Sequence, residues 1–493
     1  MSAIGRTLAT VWCILISFMA NAWDFWPLPM AEEDHQKDSI LYIASVSALA
    51  SYGGSAPFLM HTNSDGDIST APFSGNLSIG ILKPSTRPSR WYDYDFGVVV
   101  NARVNSPLNT EVSPLNPRAG VWFSNLYAHA RLYIVDITAG IKPQTYGNSN
   151  PELSSGSLIF SRNAHALPRI SIGIDRYTAF PGLYGYLTVK GGISHAWLND
   201  NNPHVKGAMV HHKFIGFRIG GRLPVNVSCE FHHVSQWGGY SAKHGDLGND
   251  FHSFMDAFLI RSGGRLKTDQ DNAHGNHIGF QELALHLNVK QVSASVYWQA
   301  LFEDKSAAFI GAGMNATDGL WGLNIRQEQW PFIEALTVEV LNTTSQSGPV
   351  HDKDGLIYAG RDGYYHNSVY PEGWTYFTRV IGNPFIDPYN NRVRMVYAGI
   401  SGDIYAFRYR LAAAYAHRFG TYATPEESRS TSLLLDVSRT VPQAWGLEFG
   451  IRLSADIDSN PNPLPPCSEH TVSTPNTFGA MIYIRKTGLI WKN

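Results

Sequence analysis

The chain has 493 residues, of which 44% are hydrophobic, 12% aromatic and only 16% charged, with a formal net charge of -2. A balance so near neutral gives no electrostatic reason to expect nucleic acid or an acidic surface as a partner. Length alone would allow two or three soluble domains, but so few charges among so many aromatics fit poorly with a soluble exported protein.

Residues 1–22 read as a signal peptide: Arg6 near the start, the apolar run LATVWCILISFMA, then small residues at Ala20 and Ala22. Residues 23–38, WDFWPLPMAEEDHQKD, are proline-broken and acidic and read as a periplasmic tail. After residue 22 there is no run of about 18 apolar residues, so a helical membrane span is not expected. Of the three cysteines only Cys229 and Cys467 survive cleavage, which permits one disulfide at most.

From residue 39 to 493 one unit recurs, a stretch of alternating polarity followed by a break rich in Gly, Pro, Asn and Asp. In SNLYAHARLYI, Leu126, Ala128, Ala130 and Leu132 share one parity and Asn125, Tyr127, His129 and Arg131 the other. Side chains alternate across a strand, so one face is apolar and the other polar and aromatic. VDITAGIK repeats this with Ile137 and Ala139 against Asp136 and Thr138. KQVSASVYWQA sets Val296 and Trp298 against Tyr297 and Gln299, and AWGLEFGIRLSADI sets Phe449, Ile451 and Leu453 against Glu448 and Arg452.

A soluble sandwich alternates too. The choice falls on a membrane barrel because the polar faces hold Glu, Arg and His at mid-strand, as a wet lumen allows, and because the repeat runs without a domain break. The expected fold is all-β, a transmembrane antiparallel barrel of about eighteen strands whose lumen is plugged by loops and short helical elements. Trp91, Tyr92, Trp122, Trp298 and Trp445 lie near strand ends, where an interfacial girdle would place them. NDFHSFMDAFLI spaces its apolar residues at three to four and predicts a short helix, which either plugs the lumen, lies under the barrel or is simply a loop helix.

The stretch FHHVSQWGG (231–239) ends one such strand. Parity turns His233 and Ser235 toward lipid, near one membrane boundary, and Glu230, His232 and Gln236 toward the lumen. Outer-membrane phospholipase A has a similar His-x-Ser facing the acyl chains, followed by Asn-Gly, which is absent here. An acyl hydrolase using His233 and Ser235 is therefore one alternative, although no third group that would orient the histidine can be named from the sequence. The paired histidines at 211–212 and 232–233 point to opposite faces and cannot chelate one ion, so no metal or other cofactor is expected. In residues 360–385 the rings of Tyr364, Tyr365, Tyr370, Trp374, Tyr376 and Phe377 are interleaved with amide, acid and guanidinium groups. Rings that stack on sugar C–H faces and polar groups that take the hydroxyls suit a polysaccharide, and a loop packed on its own aromatics is the alternative.

Seven blocks, in order, resemble the outer-membrane capsule-assembly Wzi family in its Bacteroides-like form: SSGSLIFSRNAHALPRISIG (154–173), FHHVSQWGG (231–239), GNHIGFQELALHL (275–287), LFEDKSA (301–307), DGLWGL (318–323), TTSQSG (343–348) and YYHNSVYPEGWTYFTRVIGNPF (364–385). The resemblance implies an eighteen-stranded outer-membrane barrel closed by loops and periplasm-side helical elements. It also implies a lectin-like role that attaches or organises capsular or exopolysaccharide at the cell surface, without a chemical reaction. An oligosaccharide diffusion channel is the second alternative. Besides the polymer, the expected partners are outer-membrane lipid, the barrel-assembly machinery and polysaccharide export proteins.

The residues nominated for the polymer, from the motifs in this chain, are Trp321, Arg361, Tyr364, Tyr365, His366, Asn367 and Trp374. Those nominated for a lumen network that braces the loops are Glu230, His232, Gln236, Glu282, Glu339 and Arg452. Because an unpaired charge in a lumen is costly, Glu339 and the arginines are expected to have partners.

Overall fold

The structure is a computed structural model that describes residues 39–85, 91–106, 119–200, 202–261, 274–303, 317–346, 351–353, 356–359, 361–458 and 476–492. The signal-peptide and tail assignments, and Cys467, fall outside those residues.

Eighteen strands form one sheet. They are β1 (Ser39–Tyr52), β2 (Phe73–Lys83), β3 (Tyr92–Asn105), β4 (Ala119–Leu132), β5 (Val135–Ile141), β6 (Pro168–Ala179), β7 (Leu187–Trp197), β8 (Met209–Ile219), β9 (Val225–Trp237), β10 (Asn276–Val289), β11 (Val292–Phe302), β12 (Gly319–Gln327), β13 (Ala335–Asn342), β14 (Val393–Ile404), β15 (Phe407–Arg418), β16 (Ser428–Val441), β17 (Leu447–Asp458) and β18 (Thr477–Lys492). Each pairs antiparallel with the next, and β18 returns to β1 from Ser39 opposite Lys492 to Tyr52 opposite Phe478. Closure leaves no sheet edge unpaired, which is the condition for strands to cross lipid.

Alternation then decides the faces. Ile79, Ile81, Ile170, Ile172, Leu283, Leu285, Leu411 and Ile482 are exposed on the outer wall, while Asp95, His129, Asp136, Glu230, Glu282 and Glu339 are buried inside. Apolar outside and polar inside is the inverse of a soluble barrel, and the molecule is an outer-membrane barrel. One end has tight connections, such as Tyr133–Ile134 and Lys290–Gln291. The other carries the long ones, 53–72, 142–167, 238–275 and 343–392. Short turns face the periplasm in such barrels and long loops face out.

Two girdles mark the boundaries. Trp91 and Trp445 are exposed at the turn end, and Trp298 stacks on Trp321 at 5.5 Å on the outer wall toward the loop end. Trp122 does not join them. The register between β3 and β4 shifts at Val99/Val100, so that Ser124 is an extra residue and the parity of β4 reverses. Trp122 therefore points inward, where its Nε1 donates to Asp67 at 3.1 Å. A one-residue bulge sends every side chain beyond it to the other face.

The lumen is filled from the loop end. Segments 53–72, which includes the one-turn helix α1 (Phe58–His61), 142–167 and 361–392 fold inward and share a core in which Leu158, Ile159, Tyr364, Tyr365, Trp374 and Phe385 are completely buried. The second helix, α2 (Phe251–Leu259), is capped by Asp250, whose side chain accepts from Ser253 N at 2.8 Å, and ends at Ile260 in a left-handed conformation. It neither plugs the lumen nor lies under the barrel. It packs on the outer wall, with the Phe254 ring against His195, His211 and Trp237 and the Phe258 ring against His211. Both α-helices belong to outer-end loops, and a 3-10 turn at Pro442–Ala444 lies at the periplasmic end.

Candidate functional site

Residues 148–158 of the plug are held by the wall from β10 to β15. Glu282 on β10 accepts from Asn148 N at 2.8 Å and from the Gln299 amide at 2.8 Å. Gln299 on β11 in turn accepts from Leu158 N at 3.1 Å. Asn324 on β12 donates to Asn148 O at 2.7 Å, Glu339 on β13 accepts from Ser155 N at 2.6 Å, and Arg410 on β15 donates to Glu152 O at 3.0 Å. Tyr297 completes Glu339 by donating its hydroxyl, and its ring lies over Gly322 of the next strand, where a Cβ would collide with it at 2.1 Å. Glycine is required there because the ring fills the space a side chain would take. A buried carboxylate without a counter-ion is tolerable only when its lone pairs are taken, and here backbone N–H groups of the plug take them.

Elsewhere the wall satisfies itself. Glu230 pairs with Lys190 at 2.7 Å and accepts from Tyr177 at 2.8 Å, and His232 Nε2 lies 3.0 Å away. Gln236 accepts from Asn276 at 3.3 Å. Arg452 donates twice to Asp436, at 2.9 and 2.6 Å, and Tyr483 donates to the other oxygen at 2.8 Å. His129 lies between two carboxylates, Asp95 on Nδ1 and Asp136 on Nε2, while Arg131 and Lys142 bind the same acids at 2.8 Å. Asp175 also approaches this group, and the three ligand atoms of His129, Asp136 and Asp175 lie within 4.8 Å of one another. In this arrangement both ring nitrogens of His129 are engaged by carboxylates, which makes it a link in an ion-pair network.

The aromatic block is the plug core. Trp374 donates its Nε1 to Ile159 O at 2.8 Å, Tyr364 its hydroxyl to Asp318 at 3.0 Å, and Tyr365 its hydroxyl to Leu158 O. All three side chains are 0% exposed, so their ring faces are spent on protein and offer nothing to a polymer. Trp321 is 54% exposed but faces lipid in the girdle, so it too is removed from a polymer surface. Asn367 caps a turn by accepting from Val369 N at 2.9 Å. Of the seven nominated residues, only Arg361 and His366 present exposed side chains at the loop end.

Loop 53–72 is tied in separately. Asp67 accepts from Asn101 at 2.7 Å and Trp122 at 3.1 Å, and burial, with Asp65 nearby, pushes its carboxyl up to about 7. Arg379 bridges this loop to 343–392 by donating to His61 O at 3.0 Å and to Ile68 O.

His233 and Ser235 do have outward parity, but they do not meet lipid, because α2 covers them and both are buried. The His233 Nε2 lies 3.0 Å from His277 Nδ1, and among the described residues the Ser235 hydroxyl has no hydrogen-bond partner, so His233 and Ser235 do not form a nucleophile–base bond. Cys229, on the same strand, is exposed on the outer wall.

Comparison with known proteins follows the same architecture. The solved β-barrel of Wzi, an outer-membrane protein involved in group 1 capsule assembly in Escherichia coli and described as carbohydrate-binding, is similar at 16% identity and a TM-score of 0.56, with 90% of this chain and 84% of that chain covered. Pseudomonas aeruginosa OccK5 is similar at 9% identity and a TM-score of 0.47, covering 92% and 99%, and Acinetobacter baumannii OccAB4 at 9% and 0.46, covering 93% and 100%. No curated protein matches. The profile of the family described as capsule assembly protein Wzi matches residues 96–452, from β3 to β17 and through two of the three plug segments, and the chain belongs to that family.

Proposed function

We propose that this barrel is a lectin-like protein that holds capsular or related surface polysaccharide at the cell surface and carries out no chemical reaction on it. The observation that carries the reading is the plug: a Wzi-family barrel whose lumen is filled by inward-folded loops, one bonded to the wall from β10 to β15 and another to β3, β4 and β17, presents a fixed outer surface rather than a passage. A diffusion channel needs an open lumen, and a hydrolase needs an assembled nucleophile. Polysaccharide export proteins would deliver the polymer, and the barrel-assembly machinery would insert the chain.

The test is retention of polymer by cells lacking the gene. Polymer is still synthesised but appears in the medium instead of on the cells if the reading holds, whereas an unchanged cell-bound fraction rejects it. Planar-bilayer recordings separate the channel alternative, for which the unmodified protein would conduct steadily.

A further inference from the structure

The outer-end loops carry two guanidinium groups on one ring. Tyr422, in the connection after β15, donates its hydroxyl to Ser345 O at 2.8 Å, which fixes the ring upright between loops. The Arg392 guanidinium carbon lies 4.1 Å from the centre of that ring and the Arg361 guanidinium carbon 5.7 Å from it. Arg392 is pinned further by its Nε, which donates to Thr344 O at 3.3 Å, and by the backbone bond from Phe419 N to Arg392 O at 2.8 Å. Among the described residues no carboxylate forms an ion pair with either arginine. Of the acids near the three residues in sequence, Asp362, Asp387, Glu426 and Glu427, Asp387 accepts from Tyr389 N at 2.8 Å and Glu427 pairs with His417 at 3.3 Å. Arg361 is exposed and has a φ of 58°, in the left-handed region that a non-glycine residue occupies only when its surroundings hold it there.

A guanidinium over an aromatic ring spends its face and keeps its edge, and that edge is a planar fork of N–H donors matched to a carboxylate. Two such forks on one ring, with no carboxylate of the described residues paired to either, suit an anion from outside the protein. Resting on the lectin reading above, the geometry points to Arg361, Arg392 and Tyr422 as a site for the carboxylates of an acidic polysaccharide, that is, sugars of the uronic acid class. Arg394 is not part of it: it has the outward parity of β14 and stands 5.6 Å from the Phe419 ring at the lipid rim. The phosphate of a lipid headgroup is the competing anion, and the loop positions of Arg361 and Tyr422 favour the polymer.

The experiment measures binding of the purified, detergent-solubilised barrel to the producing strain's own surface polysaccharide. Each polymer sample is used both native and after chemical reduction of its carboxyl groups to alcohols. Carboxyl reduction is expected to weaken binding about tenfold, the effect of losing a charge-assisted bond. Arg361→Gln and Arg392→Gln should each weaken binding of the native polymer several-fold and leave the reduced polymer unaffected. Arg392→Lys, which keeps the charge but loses the fork, should fall between. Equal binding of native and reduced polymer would overturn the acidic-sugar inference and leave the lectin reading standing. Failure to bind either would overturn both. Competition by lipid A micelles, lost in Arg361→Gln, would assign the site to lipid phosphate and also overturn it.

Discussion

The wall from β10 to β15 and the wall around β3 to β6 and β16 to β18 are lined by the same kinds of polar residue, yet they do different work. On the first, Glu282, Gln299 and Glu339 have no charged partner of their own and are completed by backbone groups of segment 142–167. On the second, Asp95, Asp136 and Asp436 are matched to His129, Arg131, Lys142 and Arg452 within the wall or at its margin. One side is a dock whose groups are completed by segment 142–167, and the other is a brace of ion pairs that also takes loop 53–72, through Asn101 and Trp122 on Asp67 and through Asp456, which accepts from Phe58 N at 2.7 Å. Inward parity therefore identifies which residues face the lumen and not what they face there. That depends on whether a complementary charge is within reach on the neighbouring strand.

This contrast can be broken at graded strength. Trp374→Ala removes the largest buried side chain of the plug and should cost about 3–5 kcal/mol. Its polymer binding should fall through disorder of the loops, seen as new protease cleavage within 343–392, and loss of binding with the loops still protected would return the ring to direct contact. Glu339→Ala leaves Ser155 N and the Tyr297 hydroxyl without an acceptor and should cost about 3 kcal/mol, paired with Glu282→Ala to free the segment. The double variant is expected to conduct in planar bilayers while remaining a folded barrel, and a silent bilayer would show that the dock is dispensable. His129→Ala should cost about 1–3 kcal/mol by thermal denaturation, since Lys142 and Arg131 still serve the two acids, and should leave conductance at the wild-type level.

The smallest effect is one of pH. The Asp67 carboxyl holds its proton more tightly folded than unfolded, because burial raises it to about 7. Its contribution is therefore complete below the ordinary carboxylate value of about 4 and is lost as pH rises toward 7. Asp67→Asn should match the wild type at pH 4 and exceed it at pH 8 by about 1–2 kcal/mol after allowance for screening in the lumen. A wild type that is equally stable at both pH values would contradict the assignment.

Much of the fold was legible in the sequence because alternation is a local property. The patterns at Leu126–Leu132, Val292–Gln299 and Leu447–Leu453 give both the strand and its lipid side. Trp122 escaped because a bulge is invisible to a period-two reading, and Trp321 because LWGL has no polar contrast to orient it. The aromatic block was misread for another reason. Rings with polar tips serve a sugar and a protein core equally well, and what decides is the arrival of Leu158 and Ile159 some two hundred residues earlier in the chain. The dock shares that limit, since Glu282 is readable as inward while Asn148 cannot be guessed as its partner. Tyr422, outside every motif, carried no signal beyond its placement in a short connection.

Helix α2 affects how the molecule stands in its leaflet. Over β7 to β10, four of the eighteen strands, His195, His211, His233 and His277 face outward, and rings of the helix, not acyl chains, pack on His195 and His211. The oily belt ends lower on that quarter than across β12 to β14, where Trp321, Val340 and Val396 carry it toward the rim. A membrane meets an uneven belt by thinning on one side or by letting the cylinder lean. The angle at which the loops meet whatever coats the cell is thus set in part by one short helix on the outside of the wall.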